Sequence, residues 1–171
     1  KFLLIDPALS VAKDADYTAM VIVGIDEYGF VYVLDIVRLR LSPHDIIDKM
    51  IQFAQSWHIN DIGIETVAFQ KTLAYSLRDH PDFKKHPFHI TELKPNDRTK
   101  EYRIRGLQPF YENHRIYHNK THANTMYLED ELIRFPRGTH DDVIDALSYA
   151  PDILYPAKQK VTHGRMSRWL Y

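Results

Sequence analysis

A chain of 171 residues, 44% hydrophobic and 26% charged, has the length and make-up of one globular domain, able to bury roughly two thirds of its unfolded surface. With no cysteine it excludes a disulfide scaffold and a thiolate zinc site, and fits a reducing compartment. A net charge of −1 excludes attraction of nucleic acid by bulk positive charge, and no apolar run approaches the ~20 residues of a membrane-spanning helix.

Lys1-Phe2-Leu3-Leu4 already reads as a strand, without Met or a lead-in, so a domain cut from a longer polypeptide is expected. Residues 2–6 are a short buried strand ending at Asp6, and the β-branched run 18–25 is a second. Asp26-Glu27-Tyr28-Gly29 turns the chain into a third strand, 30–38, with Phe30, Tyr32, Leu34 and Ile36 alternating. Ser42 caps a helix with Pro43 at its first position, and Ile46, Ile47, Met50, Ile51, Phe53 and Ala54 follow at helical spacing. Strand 61–65 ends at Glu65, and helix 67–79 carries Leu73, Ala74 and Leu77. His89 to Leu93 is a fifth strand, followed by helix 99–113, which Pro109 kinks or interrupts. A short strand at 115–117 and helices over 121–135 and 140–154 complete the domain. The tail 156–171 is polar and basic with an isolated Trp169-Leu170-Tyr171, a poorly ordered end or a contact peptide.

This order predicts an α/β architecture, a mixed sheet with helices on both faces. An antiparallel meander followed by right-handed crossovers sets the first strand beside the fourth. Asp6 and Glu65 then become neighbours at the C-terminal ends of parallel strands, where open α/β sheets place their ligands. A third acidic group is His140-Asp141-Asp142-Val143-Ile144-Asp145, where Asp142 and Asp145 share a helix face and Asp141 points elsewhere.

An acid ending a buried strand is costly unless a cation or hydrogen-bond donors meet it. Asp6 before Pro7 also suits a turn, and Asp141 and Asp142 also suit a helix cap. Glu65 is a poor turn former and disfavoured in strands. The set as a whole points to an oxygen cage for Mg²⁺ or Mn²⁺. Two such ions roughly 3.5–4 Å apart can activate water and stabilise the leaving oxygen of a phosphodiester, with Asp6 best placed to bridge them.

LLIDPA, the loop KDADYTA, IGIE and HDDVIDALSYA together resemble the nuclease domain of large terminase subunits of tailed bacteriophages, over nearly all of residues 1–155. That resemblance implies an RNase H-like (retroviral integrase-like) sheet of five strands or slightly more. It implies Asp6, Glu65 and Asp142 as catalytic metal ligands, with Asp145 a further ligand or a neighbouring acid. Asp141 and Asp16 are additional candidates, Asp16 from the loop after the first strand, where a solvated turn is the other reading. His140 either caps the last helix or stands near the scissile phosphate.

From Lys94 to Lys120 seven Lys or Arg face three acids. Lys94, Arg98, Lys100, Arg103 and Arg105 are therefore candidate phosphate contacts, making duplex binding salt-dependent; a solvated helix face is the plainer reading. No base-reading motif is present, so little sequence preference is expected. No G-x-x-x-x-G-K-[ST] occurs, so ATP is not expected to bind this segment.

The resemblance thus implies a metal-dependent endonuclease that cuts concatemeric double-stranded DNA during genome packaging. Its implied partners are an upstream packaging ATPase domain, a small terminase subunit and the capsid portal. Its implied place is the cytoplasm of the infected host, transiently at the procapsid portal, with no membrane. The alternatives are a RuvC-like junction resolvase, a transposase-type nuclease, or a non-catalytic DNA-binding module of the same fold.

Overall fold

The computed structural model describes residues 1–8, 16–65, 71–94 and 99–154. Arg98, Asp14 and the tail 156–171 lie outside the described residues. Six strands, β1 (Phe2–Asp6), β2 (Thr18–Ile25), β3 (Val31–Leu39), β4 (Asp61–Glu65), β5 (His89–Leu93) and β6 (Ile116–His118), form one sheet in the order β5-β4-β1-β2-β3-β6. β1, β2 and β3 pair antiparallel, while β1–β4, β4–β5 and β3–β6 pair parallel. The meander, the crossover and the β1–β4 adjacency all follow the expected order.

Both faces of the sheet are buried. One face packs Leu3, Ile5, Met20, Ile22, Ile62 and Ile64 against α1 (Pro43–Trp57), joined by Leu77 of α2 (Lys71–Asp79). Ser42 caps α1 through a full capping box with Asp45. A short helix absent from the sequence reading, α3 (Pro81–Lys85), follows, with the His80 ring accepting from the Asp82 N–H.

The other face packs Leu4, Val21, Val23, Val31 and Val33 against Ile104 of α4 (Lys100–Arg105), Leu128 of α6 (Thr125–Arg134) and the apolar side of α7 (Asp142–Leu147). In β3 the alternation differs from expectation. Val33 pairs with Val23 and Asp35 with Ile22, so Leu34 is an extra residue. This bulge changes the phase, burying Val31, Val33 and Ile36 while Tyr32 faces out.

Two expected helices are each divided in two. The stretch 99–113 becomes α4 and α5 (Gln108–Glu112); 140–154 becomes α7 and α8 (Ala150–Leu154). One rule accounts for both breaks. A proline ring collides with the carbonyl four residues before it. Pro109 sets the end of α4 at Arg105, and Pro151 sets the end of α7 at Leu147. Each proline then sits in the first turn of the next helix, where its missing N–H costs nothing. The helix expected from 121 begins at Thr125, because Asn119 holds the preceding turn through Thr121 and Thr125.

Gly63 lies in β4 between β1 and β5, and a Cβ there would stand 2.7 Å from Leu93 Cδ1 and 3.3 Å from Leu4 Cδ2. Gly63→Ala is expected to destabilise the protein by about 1–3 kcal/mol through overpacking. Urea unfolding checks it, and a change below about 0.5 kcal/mol would mean that the leucines simply step aside.

Candidate active site

Asp6 and Glu65 occupy the ends of neighbouring parallel strands, one step beyond the paired Ile5 and Ile64. α7 crosses this end of the sheet, packed on β1, β2 and β3, and delivers Asp145, which is 3% exposed. One carboxylate oxygen from each of Asp6, Glu65 and Asp145 lies within 4.8 Å of the others. The triple therefore joins two strands and a helix.

Asp142, the third acid implied by the resemblance, lies outside this triple, although its charge also reaches Asp6. Its Oδ2 lies 3.3 Å from Arg38 Nε on β3 and 3.9 Å from His140 Nδ1. Residues three apart on a helix differ by about 60° in direction and ~4.5 Å along the axis. Asp142 and Asp145 consequently face different cations, and Asp145 is the member that meets Asp6 and Glu65. Asp141 is half exposed and receives Lys100 Nζ at 2.8 Å. It stands at the N-cap of α7 without a capping hydrogen bond from its side chain.

The cap comes from another helix. Glu131 of α6 is 3% exposed, and its Oε2 accepts from the backbone N–H groups of Val143 at 2.8 Å and Ile144 at 3.0 Å. Its Oε1 faces Arg38 Nε at 3.7 Å. Sequence reasoning missed Glu131; the available signal was an acid three positions after Leu128, on the apolar side of an amphipathic helix. Burial pushes the Glu131 carboxyl up to about 7, against the two N–H groups and Arg38, which pull it down.

The cations also depart from expectation. Arg103, a candidate phosphate contact by sequence, is 7% exposed and turned inward. Its guanidinium bonds Asp145 Oδ1 and donates from Nε to Ser148 Oγ at 3.0 Å. The fork meets a buried acid, so it is withdrawn from solvent. Lys100 is half exposed and lies 3.2 Å from Asp145 Oδ2 as well as on Asp141. Arg105 pairs with Glu101 one turn back, and Lys94 is exposed just after β5. Asp16 is exposed beside Tyr17, whose ring centre has the guanidinium carbons of Arg38 and Arg40 at 4.3 and 4.1 Å and meets the His140 ring edge-on at 5.3 Å.

What reaches Asp6 is mostly unfavourable. Burial first, then the charges of Asp145 and Glu65, push its carboxyl up to about 8, with Lys100 acting in the opposite sense. A carboxyl held that high by its surroundings is a strong acceptor for added positive charge. Three converging oxygens from acids fit a hard divalent cation of the Mg²⁺ or Mn²⁺ class.

The same architecture recurs in solved structures. The large terminase nuclease from thermophilic phage G20c, with bound zinc, is 16% identical, with a TM-score of 0.58 over 86% of this chain and 80% of that one. The yeast mitochondrial Holliday junction resolvase Ydc2 is 13% identical, with a TM-score of 0.55 over 90% and 77%. The fowlpox virus resolvase, in complex with substrate Holliday junction DNA, is 12% identical, with a TM-score of 0.54 over 90% and 98%. At these identities the likeness is one of fold, the RNase H-like sheet with its flanking helices. No curated protein matches the chain. The family model for the terminase RNase H-like domain matches residues 3–152, a span that contains Asp6, Glu65 and Asp145, and the chain belongs to that family.

Proposed function

We propose that this domain is a divalent-metal-dependent endonuclease that hydrolyses phosphodiesters of double-stranded DNA with little sequence preference. The observation that carries the reading is the convergence of Asp6, Glu65 and Asp145 at the C-terminal end of the sheet, in a chain of this family. These three are the proposed ligands, with Asp141 and Asp142 flanking them. Two Mg²⁺ or Mn²⁺ ions, when bound, would supply Lewis acidity for water attack and for the departing oxygen.

The chain's own groups prepare that chemistry. Burial and mutual repulsion keep Asp6 ready to exchange a proton for a cation. Arg103 and Lys100 hold the two oxygens of Asp145 apart from each other's partners. Glu131 fixes the start of α7, and so the direction of the acids on it. Lys94, Arg98 and Arg105 are the proposed contacts to DNA phosphates, which set position without reading bases. Within the virus the proposed task is cutting concatemeric DNA during packaging. The proposed partners there are an ATPase domain, a small terminase subunit and the capsid portal, in the host cytoplasm.

Supercoiled plasmid, linear duplex and a four-way junction, each with Mg²⁺, Mn²⁺ or EDTA, test the proposal. Metal-dependent conversion of plasmid and linear duplex to fragments is expected. Paired cuts confined to the junction would instead favour a resolvase. Metal-independent DNA binding with no cutting on any substrate would favour a binding module.

A further inference from the structure

Arg103 makes contacts that a phosphate-binding arginine would not. Its Nε donates to Asp145 Oδ1 at 3.2 Å and to Ser148 Oγ at 3.0 Å, while its terminal nitrogen bonds the same Oδ1 and lies 3.8 Å from Glu65 Oε2. The guanidinium carbon lies 4.5 Å from the centre of the ring of Tyr149, a residue 1% exposed. Ser148 Oγ in turn donates to the Asp145 carbonyl at 2.5 Å. The fork is thus clamped by α7 on one side and reaches β4 on the other.

Asp145 and Glu65 come from different elements and repel one another. An ammonium is a single point of charge that could neutralise one of them. A planar fork with donors in fixed directions can hold one carboxylate while facing a second. Oδ1 of Asp145 is tied to Arg103, while Oδ2 has Lys100 at 3.2 Å.

We propose that Arg103 is a positioning residue that sets which oxygen of Asp145 is presented and how far it stands from Glu65, so that the cluster accepts a divalent cation. This rests on the metal-dependent reading above. The sign of the effect separates positioning from simple charge compensation. If Arg103 only cancelled charge, its loss would strengthen cation attraction. As a positioning residue, its loss weakens binding, even when a positive charge is kept.

The test compares the whole chain with R103K and S148A. Mn²⁺ binding is measured by calorimetry, folding by circular dichroism, and plasmid cutting across Mn²⁺ and DNA concentrations. R103K is expected to fold and to bind Mn²⁺ about tenfold or more weakly, the scale found when a group orienting a metal ligand is lost. Its kcat should fall with KM for DNA changed by no more than about twofold. Unchanged or tighter Mn²⁺ binding in R103K would overturn the proposal. So would an effect confined to KM for DNA and its salt dependence, which would make Arg103 a phosphate contact. Should R103K fail to fold, S148A decides: Kd for Mn²⁺ raised about threefold or more supports the proposal, and an unchanged Kd overturns it. Wild-type protein that binds Mn²⁺ but cuts nothing would refute the nuclease reading and leave the binding comparison to judge Arg103. Wild-type protein that binds no Mn²⁺ overturns the positioning role as well.

Discussion

Asp6→Asn is expected to abolish cleavage and, at the same time, to raise the melting temperature of the metal-free protein. The loss of activity should be on the order of 10³-fold or more, as for other groups at a reacting centre. The gain in stability follows from electrostatics. Asp6 is pressed by burial and by Asp145 and Glu65, so its carboxyl is pushed up to about 8, well above the usual carboxylate range. An acid whose pKa is raised by folding makes the folded state bind more protons, so stability falls as pH climbs from about 4 through 8. Glu131, pushed up to about 7, acts in the same direction. The asparagine removes the Asp6 part of this loss. At pH 8 a rise of about 2–8 °C is expected, matching ~1–2 kcal/mol of relieved repulsion in a domain of this size. Mn²⁺ should stabilise the wild type increasingly as pH rises toward 8, because cation and proton compete for one carboxylate. Thermal melts at pH 5.5 and 8 check all of this. Equal melting points for wild type and variant at pH 8 would remove the claim that Asp6 is under strain.

Glu131→Ala should produce the largest loss of stability among single changes near the site. The carboxylate accepts two backbone N–H groups at the start of α7 and faces Arg38, all with little access to water. Deleting it leaves two donors and a guanidinium short of partners, costing about 2–4 kcal/mol. Glu131→Gln keeps an acceptor for the N–H groups and should lose about half as much. Urea unfolding would show a lower midpoint with the slope unchanged. Cleavage should weaken in the alanine variant beyond what its unfolded fraction explains, because α7 carries Asp145. A loss below about 0.5 kcal/mol for Glu131→Ala would mean that water replaces the cap.

The sheet was legible because its signals are local. β-branched runs, the capping box at Ser42 and the turn at Asp26-Glu27-Tyr28-Gly29 each act over a few residues. Asp6 and Glu65 were legible because each ends an apolar run, and the crossover rule makes those ends adjacent. Choosing between Asp142 and Asp145 was not possible from spacing, since both lie on the same side of α7. What separates them is the identity of the cations opposite, Arg38 from β3 and Arg103 from α4. Nothing in K-E-Y-R-I-R marks Arg103 as inward and Arg105 as outward, since both adjoin the buried Ile104. The interruption of 99–113 was legible from Pro109, and the break after Leu147 follows the same four-residue rule from Pro151. The β3 bulge could not, because its cause lies in pairing with β2 rather than in β3 itself.

The shortness of α7 has a consequence for how the protein comes into being. Six residues are far fewer than the ~12–15 that hold a helical form unaided in water. Asp145 is therefore presented only by a chain whose sheet, α4 and α6 are already in place. Its near neighbours Asp6 and Glu65 are brought together by strands more than fifty positions apart in the chain. A nascent or half-folded molecule thus has the acids but not their arrangement. On the proposed reading, capacity to capture divalent ions at this end of the sheet should arise together with the last cooperative step of folding, so that immature chains lack it.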